Sequence, residues 1–117
     1  MARTINKVTL LGRVGTDPEM TYTPNGIALT KLRLATDRYR RDGEDSTDWH
    51  NIVVWDKSAE AVNQYVQKGQ RICVEGRLVQ NTWQTEDGQP RSRTEVHTQE
   101  VVFLDSNGNG HEEDSPF

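Results

Sequence analysis

At 117 residues, of which 32% are hydrophobic, the chain has room for one domain with a thin core, and oligomerisation would help to stabilise it. It has no apolar run near the roughly 20 residues of a membrane helix, no apolar stretch behind Met1 to make a secretory signal, and one cysteine, Cys73, expected to be a packing residue. A cytoplasmic protein is expected. The net charge of -4 argues against a phosphate-bearing partner, but residues 1–105 hold all 14 Lys and Arg against 15 of the 18 acids, a balance of -1, and the other three acids fall in residues 106–117.

From residue 5 to 14 the chain alternates Val8, Leu10, Gly12 and Val14, which predicts a strand. Gly15, Asp17-Pro18 and Pro24-Asn25-Gly26 supply turn chemistry. A second strand is predicted at 27–36, with Ala28, Thr30, Leu32 and Leu34 on one face and Lys31 and Arg33 on the other. Residues 37–48 are too polar to pack and contain Gly43, so a long exposed loop is expected there. The third strand covers 49–55, where Trp49, Asn51, Val53 and Trp55 share a face.

Ser58 is placed to cap a short helix carrying Ala59, Val62, Tyr65 and Val66, and Gly69 to end it. A fourth strand at 71–79, with Ile72, Val74 and Leu78 inward and Arg71, Glu75 and Arg77 outward, runs on towards Trp83. Asp87-Gly88 signals a type I′ hairpin before a last strand at 93–104. Two domain segments follow: a barrel at 1–105 and a short acidic tail at 106–117, expected to be disordered. Three strands, one short helix and two strands, with polar loops after strands two and four, fit an all-β OB-fold, a five-stranded Greek-key barrel whose second and third strands bind oligonucleotides.

The aromatic residues suggest how such a barrel would bind. Trp49 and Trp55 lie six residues apart on one strand, roughly 20 Å at about 3.3 Å per residue. Trp83 sits by the second loop, and Tyr39 lies among Arg38, Arg40 and Arg41 in the first. Base stacking on such rings is worth about 1–3 kcal/mol per base and tolerates any base. The ordinary alternative is that these rings are core, and it weighs most on Trp55, which follows the apolar run Ile52-Val53-Val54. Arg3, Lys7, Lys31, Arg33, Lys57, Lys68, Arg71, Arg77, Arg91 and Arg93 form a candidate phosphate track; any one alone would be an ordinary surface charge.

Catalysis is not expected. His50, His97 and His111 are far apart, no metal-binding or nucleophile motif is present, and Gly12 to Gly15 is too short for a phosphate loop. No metal or cofactor is implied. An OB-fold binder of RNA and a protein-interaction barrel that buries its tryptophans between subunits remain open on the residues alone.

The ordered pieces Asn6-Lys7-Val8, Gly12-Arg13-Val14-Gly15-Thr16-Asp17-Pro18-Glu19, Pro24-Asn25-Gly26, Leu34-Ala35-Thr36, Thr47-Asp48-Trp49-His50, Lys68-Gly69 and Val74-Glu75-Gly76-Arg77-Leu78 resemble the bacterial single-stranded DNA-binding protein family over about residues 3–104. The resemblance implies a homotetramer that coats single-stranded DNA in replication, recombination and repair, in the cytoplasm at the nucleoid. It implies stacking at Trp49, Trp55 and Trp83, and at either Tyr39 or Arg40, and a subunit-interface role for His50. It also implies that the tip, Glu112, Glu113, Asp114, Pro116 and Phe117, docks on replication and repair proteins, although the usual long linker is reduced to about residues 106–111.

Overall fold

The structure, a computed structural model, describes residues 3–104. Its elements in chain order are β1 (Val8–Val14), β2 (Glu19–Tyr22), β3 (Ala28–Arg38), β4 (Ser46–Trp55), α1 (Asp56–Tyr65), β5 (Arg71–Gln84) and β6 (Pro90–Phe103). The strands form one sheet in the order β1-β5-β6-β4-β3-β2, and additional pairing of β1 with β3 closes it. Five strands therefore make the barrel expected of an OB-fold, with β2 added at the edge of β3.

Closure depends on β1 changing partners. Val8 to Arg13 pair with β5, while Arg13 and Val14 pair with Ala35 and Leu34 of β3. Gly12 permits this, because a Cβ there would lie 2.2 Å from the Ala35 carbonyl oxygen. Alternation then fills the interior. Ala28, Thr30, Leu32 and Leu34 of β3 are buried with Val14, Ile52, Val54, Ile72, Val74 and Val96. Helix α1 covers one end with Ala59 and Val62, assisted by Val66, and the buried Thr30 hydroxyl donates to the Ala59 carbonyl at 2.8 Å.

Several expectations are corrected. Residues 19–22, given no strand between the turns expected at Asp17-Pro18 and Pro24-Asn25-Gly26, form β2 because the outer edge of β3 offers them a ladder from Glu19↔Lys31 to Tyr22↔Ala28. The loop expected at 37–48 shrinks to 39–45, since Thr36, Asp37 and Arg38 pair with Asp48, Thr47 and Ser46, and Arg38 grips Asp48 through two hydrogen bonds. Ser58 does not cap α1. The helix starts two residues earlier, directly after β4, through Asp56 at φ +63, and the Ser58 hydroxyl instead donates to Gln99. Nor does Gly69 end the helix, which stops at Tyr65; Gly69 lies in the following turn and donates to the Val14 carbonyl.

The loop expected after strand four is an ordered two-stranded arm. Pairs from Gln80↔Thr94 to Gln84↔Pro90 extend beyond the stretch of β6 that pairs with β4. Its turn is not type I′, because only Gly88 has positive φ; Thr85 and Gly88 instead close a type I turn with a left-handed glycine. The Thr85 hydroxyl donates to the Asp87 carboxylate, holding that carboxyl below its usual range. Leu78, expected inward, is 45% exposed. It lies opposite the buried Val96, on the inward side expected, but past the last β1 pair at Val8↔Gly76, where the Asn6 side chain bonds its backbone at the edge of β5. Cys73 is only half-buried, on the outer face opposite Leu11.

Candidate nucleic-acid interface

Cross-strand register carries one continuous outer face over β2, β3, β4, β6 and β5. One row runs Glu19, Lys31, Val53, His97, Arg77, and a second runs Arg33, Asn51, Glu95, Val79. Strand β4 has Trp49 towards one end of this face and Trp55 at the other, as the period of two predicted.

Trp49 is 48% exposed. Its indole lies on the backbone of Gly15, where a Cβ would come within 2.1 Å of ring atom Cζ3. The segment carrying Gly15 is itself fixed to β3: Gly15 donates to the Arg33 carbonyl at 2.8 Å, and the Arg33 amide donates to the Thr16 hydroxyl. The Arg33 guanidinium stands 4.8 Å from the ring centroid, a cation–π contact. Trp49 is thus a supported, half-open platform. Lys68 and Arg71 line the adjoining groove. Asp17, read from sequence as turn polarity, accepts from the Lys68 amide and holds that turn against the barrel.

Between the two tryptophans runs a shallow groove lined by Lys31, Arg33 and Arg93, with Asn51 and Glu95 also in its wall. Asp17 and Glu19 line the same groove with Glu95, so its three cations are matched by three acids. At the far end Trp55 is half-buried on the same outer face and is not among the side chains packed in or against the core. Its indole Nε1–H donates to His97 Nδ1 at 3.2 Å, and the two rings are tilted at 38° with centroids 5.7 Å apart. Arg77 and Lys7 line the groove beside them, Lys7 paired with Glu75 at 3.0 Å.

Trp83 lies on the arm, 44% exposed, beneath the Arg93 guanidinium at 5.8 Å and opposite Arg91. Tyr39 is 76% exposed in the loop between β3 and β4, next to Arg40, whose Nε lies 3.9 Å from Asp42. His50 is half-buried and bonded to the Thr36 hydroxyl of the same chain at 2.9 Å. Of the predicted cations, Arg3 and Lys57 are exposed but line none of these grooves. The acidic tip lies outside the described residues.

Sequence reading missed Glu95 and His97. Glu95 is 5% exposed and its Oε1 lies 3.0 Å from His97 Nε2. A lone acid and a lone histidine two residues apart on a strand give no signal beyond sharing a face; their partner, Trp55, is distant in sequence. Among the described residues no group of three or more His, Cys, Asp or Glu could hold a metal ion, and no helix is long and apolar enough to cross a membrane.

The chain matches the single-strand binding protein family over residues 5–104. It is 38% identical over 114 residues to a single-stranded DNA-binding protein of Xanthomonas campestris pv. campestris, covering 94% of this chain and 66% of the relative. It is 37% identical to the protein of that name from Xanthomonas axonopodis pv. citri, covering 94% and 63%. The chain thus spans about two thirds of the length of these relatives. Among solved structures it resembles a chain of the Plasmodium falciparum SSB complex with ssDNA, with TM-score 0.83 and 34% identity, covering 90% of this chain and 99% of that one.

Proposed function

The chain belongs to the single-strand binding protein family, and we propose that it binds single-stranded DNA without sequence specificity, as a non-enzymatic binding protein. The observation that carries this is the outer face of β3 and β4: an open, buttressed Trp49 and a half-open Trp55 with Lys31, Arg33 and Arg93 between them. Rings offer π-faces to any base while the cations engage the backbone, so affinity without base readout follows. Trp83 and Arg91 extend the track along the arm, Lys68 and Arg71 beside Trp49, and Lys7 and Arg77 beside Trp55. Tyr39 supplies the fourth ring, being the more exposed of the two loop candidates.

The assembly is a homotetramer. An outer-face row of Leu11, Cys73 and Val102 crosses β1, β5 and β6, with Leu11 and Val102 exposed, and this apolar strip suits burial between protomers together with His50. In the cell it would act on the nucleoid in replication, recombination and repair. Residues Glu112 to Phe117 would recruit partner proteins, combining negative charge, a stiff proline and an aromatic ring.

The test is a poly-dT titration followed by tryptophan fluorescence at several salt concentrations, with the mass of the complex measured alongside. Quenching with an affinity that falls as salt rises is expected. Unchanged fluorescence at low salt would overturn the reading, and a monomeric mass would overturn the tetramer.

A further inference from the structure

Trp55, His97 and Glu95 form a hydrogen-bonded chain that stacking by itself does not require. Simple donor and acceptor counting fixes its protons. An indole N–H can only donate, so His97 Nδ1 must offer a lone pair; an ionised carboxylate can only accept, so Nε2 must carry the hydrogen. Neutral His97 in a single tautomer satisfies both neighbours. The imidazolium satisfies only Glu95, because a proton on Nδ1 faces the indole N–H. Adding a proton therefore keeps one end of the chain and breaks the other.

The fold explains why these three meet. Parallel pairing sets His97 beside Val53, one strand repeat from Trp55, and β6 places Glu95 on the same face two residues before His97. Glu95 is buried and offers the histidine a fixed partner. Arg77 of β5 stands opposite His97, and Lys7, Glu75, Glu100 and Asp56 line the groove that His97 and Trp55 share.

We infer that His97 is a positioning residue for single-strand binding: held in one tautomer by Glu95, it fixes the Trp55 ring in the stacking face, and its protonation releases that ring. This rests on the proposed role of the face, so the test has one arm that needs no DNA. In the full chain, the indole Nε1–H resonances of Trp49, Trp55 and Trp83 are followed by nitrogen-edited NMR from pH 8 to pH 5, the range in which imidazoles change charge. Poly-dT affinity is then measured at both ends of the range.

The expected result is a single titration at the Trp55 resonance with little movement at Trp49 and Trp83. His97→Gln, whose amide oxygen still accepts from the indole, should bind poly-dT within about twofold of wild type at pH 8 and lose the titration. His97→Val, with no acceptor, should bind about two- to tenfold more weakly, the equivalent of one hydrogen bond. A Trp55 resonance that stays still across the range in the folded protein overturns the inference, as does wild-type affinity in His97→Val. If poly-dT fails to quench Trp49 while Trp55 still titrates, the face is not a DNA interface but the positioning chain stands.

Discussion

Gly15 offers a test of the stacking surface that leaves every aromatic ring in place. In Gly15→Ala the new methyl would sit 2.1 Å from Trp49 Cζ3, whereas carbon atoms rest at about 3.5–4.0 Å. The ring must therefore retreat by about 1.5 Å. Trp49 is 48% exposed and can swing outward, so the roughly 1–3 kcal/mol that overpacking costs in a closed core is not incurred in full. Binding is more sensitive, because a displaced ring loses both its support and its alignment with Arg33. Up to the whole stacking term of about 1–3 kcal/mol is at stake, about 5- to 150-fold in affinity. Anisotropy titration with labelled poly-dT, together with thermal unfolding, would measure both effects. Weaker binding with a nearly unchanged melting temperature is expected, and Gly15→Ala should cost nothing further in a Trp49→Ala background, since both act through one ring. Wild-type affinity in Gly15→Ala, or losses that simply add, would show that Gly15 does not seat the ring.

Trp83→Ala should weaken poly-dT binding by about 1–3 kcal/mol with little change in denaturant midpoint, because the ring is half-exposed on an arm outside the core; an unfolded variant would mean that the ring is structural. Replacing Lys31 or Arg33 with alanine should flatten the dependence of log affinity on log salt by about 0.7 for each phosphate no longer neutralised, and an unchanged slope would remove that residue from the track. Thr30→Val should lower stability by about 1–2 kcal/mol in urea, since the buried hydroxyl bonded to Ala59 is removed. Burial, with a smaller contribution from the Glu75 charge, pushes the Cys73 thiol up. Less thiolate is then present near neutrality, and the proposed tetramer covers Cys73, so alkylation should be slower than that of a free thiol at pH 8. Removing Asp114–Phe117 should leave poly-dT affinity equal or higher while abolishing capture of replication proteins, and lower affinity would count against a tail that competes for the cationic groove.

Much of the barrel was legible from local pattern. The alternation through β3 and β4 places Leu32, Leu34, Ile52 and Val54 inside and the two tryptophans outside, because a strand sends neighbours to opposite faces whatever surrounds it. Turns at Gly26 and Gly88 could likewise be located, since both need a left-handed residue. The type of the second turn could not, because it depends on how far β5 and β6 stay paired.

What escaped sequence reading depends on neighbours distant in the chain. Glu19 to Tyr22 become a strand only because β3 has a free edge, and Leu78 is exposed past the last β1 pair, at Gly76. Glu95 and His97 are unremarkable letters until parallel pairing of β4 with β6 brings them to Trp55. Periodicity, turns and the kinds of side chain available for binding are written in the chain itself, because each is set within a few residues. Which rings are supported, which are half-closed and which hydrogen bonds orient them are settled by the fold, because those properties belong to pairs of strands and come into being only when the barrel shuts.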